Sequence, residues 1–261
     1  LLSLKIFFQK KIIFKMLLKG KTAVVTGCNR GIGLSILETF SKNGAQVVAC
    51  VRKIPGDFNN KIEKISDETG NKIDVVVFDL ENETEIEQGI SQIKKVTNSV
   101  DILVNNAGIN QMSLFQMTTL KTFKSVFEIN FFSIVNITQK ILKIMKKNNF
   151  SKIINISSNA ASLSDAGRAA YAPSKAALIS FSEVLSKELS NFKINVNAVA
   201  PGLVNTDMMK NTPQKVIDEA IKNTPLNKAA EPADIANTVL FLASDNSNHI
   251  TGETIFITGG M

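Results

Sequence analysis

The chain has 261 residues, 44% of them hydrophobic and 20% charged, and a net charge of +7. Two cysteines and a single histidine argue against a disulfide framework, a multi-histidine metal site or a Ser-His-Asp triad, and no metal site is expected. No run approaches about 18 consecutive apolar residues, so no membrane span is expected, and a chain this long can bury ~75% of its unfolded surface without a staple.

Residues 1–15 hold Lys5, Lys10, Lys11 and Lys15 without an acid, so they supply +4 of the +7. The remaining lysines alternate with acids, as in Lys61-Ile62-Glu63-Lys64, the pattern of a solvated helix face. A basic stripe interleaved with aromatic residues is missing, so nucleic acid is not an expected partner. Residues 1–15 read either as a basic, acid-poor targeting presequence or as a leader ahead of Met16 that is foreign to the native chain. The fold is therefore expected to occupy 16–261.

From Gly20 the chain alternates β-branched runs with helical stretches. Thr22–Thr26, Gln46–Val51, Val75–Phe78, Ile102–Asn105, Ile153–Ser157, Ile194–Ala200 and Thr254–Ile257 are near-continuous apolar runs, as parallel strands buried on both faces require. Ile36, Leu37 and Phe40 share a helix face that ends at Asn43-Gly44, and longer helices are predicted over Glu128–Lys147 and Tyr171–Leu189. Seven strands with intervening helices predict an α/β, doubly wound Rossmann fold of one domain. Its sheet should be seven-stranded and mainly parallel, with helices on both faces.

The first strand runs into Thr26-Gly27-Cys28-Asn29-Arg30-Gly31-Ile32-Gly33. Glycines at this strand-to-helix junction allow a tight turn and let backbone N–H groups approach a pyrophosphate at the helix N-terminus. An NAD site would place an acid at the end of the second strand, but Ala49-Cys50-Val51-Arg52-Lys53 has none. Arg30 and Arg52, two of the three arginines, fall near the expected ribose, where a guanidinium can clamp a 2′-phosphate. NADP(H) is favoured over NAD.

Asn105-Asn106-Ala107-Gly108 follows the fourth strand, Asn130 lies in a long helix and Ser158 follows the fifth strand. Tyr171 and Lys175, four apart, share a helix face. A nearby ammonium favours the phenolate, so Tyr171 is expected to titrate well below ~10. Such a tyrosine can protonate a carbonyl oxygen as hydride reaches the carbon, with Ser158 hydrogen-bonding the same oxygen.

With these motifs in hand, the chain from Lys19 to Met261 resembles the short-chain dehydrogenase/reductase family. Thr26-Gly27-x-x-x-Gly31-x-Gly33, Asn105-Asn106-Ala107-Gly108, Asn130, Ser158, Tyr171-x-x-x-Lys175 and Pro201-Gly202 carry the resemblance. It implies an oxidoreductase with a tetrad of Asn130, Ser158, Tyr171 and Lys175, in which Lys175 also holds the nicotinamide ribose and Asn130 keeps a proton-relay water in place. It implies that Asp79 and Leu80 flank the adenine and that the backbone of Asn106, Ala107 and Gly108 lines the cofactor. Asn29 and Ile32 of the glycine loop, with Pro201, Gly202, Val204 and Thr206, complete the implied cofactor set.

Within the family the chain looks most like the 3-oxoacyl-[acyl-carrier-protein] reductases of fatty acid synthesis, through Phe241-Leu242-Ala243-Ser244-Asp245, Ile250-Thr251-Gly252-Glu253-Thr254 and Thr258-Gly259-Gly260-Met261. The carrier-docking arginines of that subgroup align with Asn149 and Phe192, and Lys146, Lys147, Lys152 and Lys193 stand close enough to substitute. Three readings stay open: reduction of a 3-oxoacyl thioester, with acyl carrier protein as a candidate partner; another reductase or dehydrogenase acting on a steroid, sugar, quinone or xenobiotic; and a non-catalytic relative. The segment Leu203–Ile221, with Met208 and Met209, is the expected substrate cover. The resemblance implies a homotetramer packed through Glu128–Lys147 and Tyr171–Leu189. A cytoplasmic location is expected, or a mitochondrion or plastid if residues 1–15 are a targeting remnant.

Overall fold

The five inner strands of the sheet are buried because they are sandwiched, the two edge strands only in part, and the alternation of their side chains divides them between two helical layers. The structure, a computed structural model, describes residues 16–145, 150–163, 165–211 and 214–261, with the side chains of 210 and 211 left out. Residues 1–15 and Lys146, Lys147 and Asn149 lie outside the described residues. Seven strands, β1 (Thr22–Thr26), β2 (Gln46–Val51), β3 (Ile73–Val77), β4 (Ile102–Asn105), β5 (Ser151–Ile156), β6 (Ile194–Pro201) and β7 (Thr254–Ile257), form one sheet in the order β3-β2-β1-β4-β5-β6-β7. Every pairing among them is parallel, so the mainly parallel sheet expected from sequence is wholly parallel across these strands.

Along β1, Ala23 and Val25 face one layer and Val24 the other. The first layer contains α1 (Gly31–Lys42), through Ile36, Leu37 and Phe40, with α2 (Phe58–Thr69) and α8 (Pro232–Ala243). The second contains α3 (Glu83–Val96), through Ile86, Ile90 and Ile93, with α5 (Ser133–Leu142) and α6 (Tyr171–Leu189). Their starts are written locally: Asn82 accepts from the N–H groups of Thr84 and Glu85, and Pro232 supplies the first residue of α8.

Several boundaries differ from expectation. β3 and β5 each begin two residues earlier than the apolar runs; in β5 the added polar residues Ser151 and Lys152 are themselves buried. The helix expected over Glu128–Lys147 instead begins as α4 (Leu120–Phe127), passes through a π-turn at Glu128–Phe132 and continues as α5. Tyr171–Leu189 matches its predicted bounds.

Strand order reverses direction between β1 and β4. This switch point opens a crevice at the carboxyl ends of the strands, where ligands of open α/β sheets bind.

Candidate active site

The predicted residues gather at that edge because every strand points to it. Gly27 follows β1, Arg52 follows β2, and Asp79-Leu80 lie just past β3. Asn106-Ala107-Gly108 follow β4, Ser158 lies just past β5, and Gly202, Val204 and Thr206 follow β6.

The glycine loop is closely locked to the end of β4. Asn106 donates through Nδ2 to the main-chain oxygens of Thr26 and Gly27 at 2.9 and 3.2 Å. The N–H groups of Asn106 and Ala107 both donate to Thr26 Oγ1, at 3.0 and 3.1 Å. A Cβ at Gly33 would stand 2.1 Å from the oxygen of Gly27, so only glycine lets α1 start this near the strand. The α1 N-terminus has no side-chain cap and no acid in its first turn. Its outward N–H groups and dipole therefore suit an anion, and a dinucleotide pyrophosphate fits this arrangement. Thr206 reaches the loop from the far side, since a Cβ at Gly31 would lie 3.3 Å from its Cγ2. Arg30 and Arg52 are exposed and form no ion pair with an acid among the described residues. A cleft of about 630 Å³ lies between α1 and the segment 205–217, and includes Gly31 and Thr206.

The other residues come from β5, α6 and the π-turn. Lys175 is buried; its Nζ donates to the main-chain oxygen of Ile156 at 2.8 Å, while Ser157 Oγ donates to the Lys175 oxygen at 2.8 Å. Asn130 is wholly buried. Its Oδ1 accepts from Ile109 N at 2.9 Å, and its Nδ2 donates to the Ile109 oxygen at 3.0 Å and to Ser174 Oγ at 3.1 Å. Ser174 Oγ in turn donates to the Tyr171 oxygen at 2.7 Å. Gly108 closes this group, since a Cβ there would lie 3.1 Å from Asn130 Oδ1 and 3.3 Å from Lys175 Nζ.

The electrostatics correct the expectation for Tyr171. Burial pushes its phenol above the usual value, while a hydrogen bond with Ser158 and the Arg168 guanidinium pull it down. The Arg168 guanidinium lies 5.9 Å from the centre of the tyrosine ring. Lys175, expected to depress the phenol, is instead bound to the Ile156 carbonyl, and burial lowers its own pKa to about 8. A second correction concerns Lys152, proposed from sequence as a surface docking lysine. It is 2% exposed and donates to Asn195 Oδ1, Ser247 Oγ and Asn248 Oδ1 at 3.1, 3.3 and 2.8 Å. Lys193 and Phe192 are exposed.

Sequence reading missed Ser157, Ser174, Arg168 and Gln111. Ser174 lies inside the Tyr171-x-x-x-Lys175 motif, a signal that could have found it; the partners of Gln111 are set only by the fold.

A family model described as Enoyl-(Acyl carrier protein) reductase matches residues 27–261. The chain is 36% identical over 246 residues to a 3-oxoacyl-[acyl-carrier-protein] reductase FabG of Chlamydia trachomatis serovar D, covering 94% of this chain and 98% of that protein. It is 35% identical over 249 residues to a 3alpha-hydroxysteroid dehydrogenase of Mediterraneibacter gnavus, covering 94% and 98%. Among solved structures, a Beutenbergia cavernae chain assigned as an NAD(P)-dependent gluconate 5-dehydrogenase, with NADP bound at low occupancy, superposes with a TM-score of 0.87 at 28% identity, over 94% and 98% of the two chains. The chain belongs to the short-chain dehydrogenase/reductase family. It is an oxidoreductase acting on CH–OH and C=O groups.

Proposed function

We propose that the chain reduces the ketone of a 3-oxoacyl thioester with NADPH, giving the 3-hydroxyacyl product in fatty acid synthesis. The observation that carries this reading is the meeting of Ser158, Tyr171 and Lys175 at the carboxyl edge of the sheet, beside a glycine loop flanked by two exposed arginines. The glycine loop, Asn106-Ala107-Gly108, Asp79-Leu80 and Thr206 would hold the cofactor, with Arg52 and Arg30 on its 2′-phosphate. When bound, the cofactor supplies the hydride.

The chain's own residues supply the proton and the alignment. Tyr171 holds its proton at neutral pH because burial favours the neutral phenol, which suits a general acid. As charge builds on the substrate oxygen, the phenol donates to it, and the Ser158 hydroxyl steadies both. Lys175, tied to β5 through the Ile156 carbonyl, would serve the nicotinamide ribose. Asn130, held through Ile109 and Ser174, would keep a relay water that returns the proton to Tyr171.

Homologous names leave the substrate open, since a carrier-protein reductase and a steroid dehydrogenase stand at nearly equal identity. Buried Lys152 and exposed apolar Phe192 at the docking position favour a second reading, a free ketone in place of a carrier-bound thioester. Turnover of acetoacetyl thioesters against a panel of free ketones, with NADPH and with NADH, tests both. A thioester preference with NADPH supports the first; a free-ketone preference supports the second.

The same reading makes 16–261 one domain behind a leader and puts the chain in the cytoplasm, with mitochondrion or plastid the outcome if 1–15 is a targeting signal. It also makes the protein a homotetramer, packed in part through exposed Phe132 in the π-turn and Val184 of α6. Sedimentation showing only monomer at micromolar concentration would exclude that assembly.

A further inference from the structure

Gln111 lies in the loop after β4 and is 6% exposed, although no motif marks it. Its side-chain amide is used at both ends. Oε1 accepts from the N–H of Ala170 at 3.2 Å. Nε2 faces the Ser113 oxygen at 3.0 Å, Ser113 Oγ at 3.0 Å and Thr118 Oγ1 at 3.1 Å. The chemistry fixes the amide's orientation, because a backbone N–H needs an acceptor and a carbonyl needs a donor.

Ala170 is the fully buried residue immediately before Tyr171, and α6 has no side-chain cap of its own. Its N–H is one of the donors that a helix start leaves unpaired, and leaving such a group buried without a partner is costly. Gln111, 59 residues away in sequence, supplies the missing acceptor. A second bond, from Ser113 N to the Gly167 oxygen at 2.9 Å, ties the same two loops together.

We infer that Gln111 is a positioning residue, which fixes the first turn of α6 and with it the Tyr171 hydroxyl relative to Ser158. This rests on Tyr171 being the proton donor proposed above. Lys175 stands one turn further along and is held independently by Ile156 and Ser157, so loss of Gln111 should disturb proton donation while sparing cofactor binding.

The variants separate the two ends of the amide. Gln111→Glu keeps an acceptor for Ala170 and loses the donor to the Ser113 main-chain oxygen, although the Ser113 and Thr118 hydroxyls can turn to donate to it. Gln111→Lys keeps a donor and loses the acceptor; Gln111→Leu loses both. The expected result is a kcat reduced at least about fivefold in the Lys and Leu variants, restored to within about twofold by Glu, with NADPH affinity unchanged in all three. Equal kcat in all three, a parallel loss of NADPH affinity, or loss of the folded state in all three would overturn the positioning role. Tyr171→Phe serves as control. If it stays active, the underlying reading fails; if it is inactive while Gln111→Leu turns over normally, only the role of Gln111 fails.

Discussion

Lys175 Nζ donates to the main-chain oxygen of Ile156 at 2.8 Å, which anchors the ammonium on the strand that leads to Ser158. With the return bond from Ser157 Oγ, two hydrogen bonds tie α6 to β5, the elements that present Tyr171 and Ser158. Burial lowers the Lys175 pKa to about 8, so the ammonium predominates at neutral pH and is lost above that value. NADPH affinity should therefore fall as pH rises through about 8, and Lys175→Arg should move that fall upward. Fluorescence titration of the cofactor across pH checks this; flat affinity to strongly alkaline pH would contradict it.

Tyr171→Phe removes one hydroxyl from a cleft. It should keep the fold and NADPH binding while losing ~10²-fold in turnover, the scale of a missing general acid. A variant reducing ketones at near-normal rates would refute the proposed proton donor.

Tyr171 is the only tyrosine, so tyrosinate absorbance reports one group. In the free protein it should titrate above the usual phenol value, because burial outweighs the Ser158 and Arg168 effects. Adding the oxidised cofactor should lower the midpoint, since a bound positive charge favours the phenolate. A midpoint below the usual value without cofactor would show that burial is not the dominant influence.

Arg52 is exposed at the end of β2, where the adenosine ribose is expected. Arg52→Asp should lower the preference for NADPH over NADH at least about tenfold, or about 1.4 kcal/mol, by exchanging a charge-assisted contact for repulsion. Kinetics with both cofactors measure it; a parent protein that already prefers NADH would show the reading of this strand end to be wrong.

Lys152→Met leaves the side-chain oxygens of Asn195 and Asn248 without their donor and should destabilise the protein by about 3 kcal/mol. Burial lowers the Lys152 pKa from 10.5 to about 8. The folded state thus binds fewer protons than the unfolded state between those values, and this lysine makes stability rise with pH there. Urea midpoints across that range should show the rise weakened in the Met variant. An identical slope in both proteins would exclude Lys152 as its source.

Sheet, layers and most candidate residues were legible because their signals are local. The apolar runs mark strands, and the glycine loop and the Tyr171–Lys175 spacing each lie within a few residues. What could not be read depends on distant partners. Lys152 looks like a surface lysine until Asn195, Ser247 and Asn248 close over it. The direction of the Tyr171 shift escaped because helix spacing says nothing of the Ile156 carbonyl that takes the Lys175 ammonium. The start of the long helix was missed although its signal is local, since Thr119 caps it by accepting from the N–H of Thr122.

The π-turn at Glu128–Phe132 makes residue count itself a structural parameter of this stretch. A π-turn carries more chain per turn than an α-helix, so deleting one residue there would yield a regular helix that still satisfies its backbone. Because the wide turn already holds one residue more than an α-turn, the rest of α5 would keep its face. Ile137 and Ile141 would stay on the sheet, while Asn130, inside the wide turn, would leave Ile109 and Ser174. A deletion that improves the local helix would thus spare the packing of α5 and dismantle the site beside it.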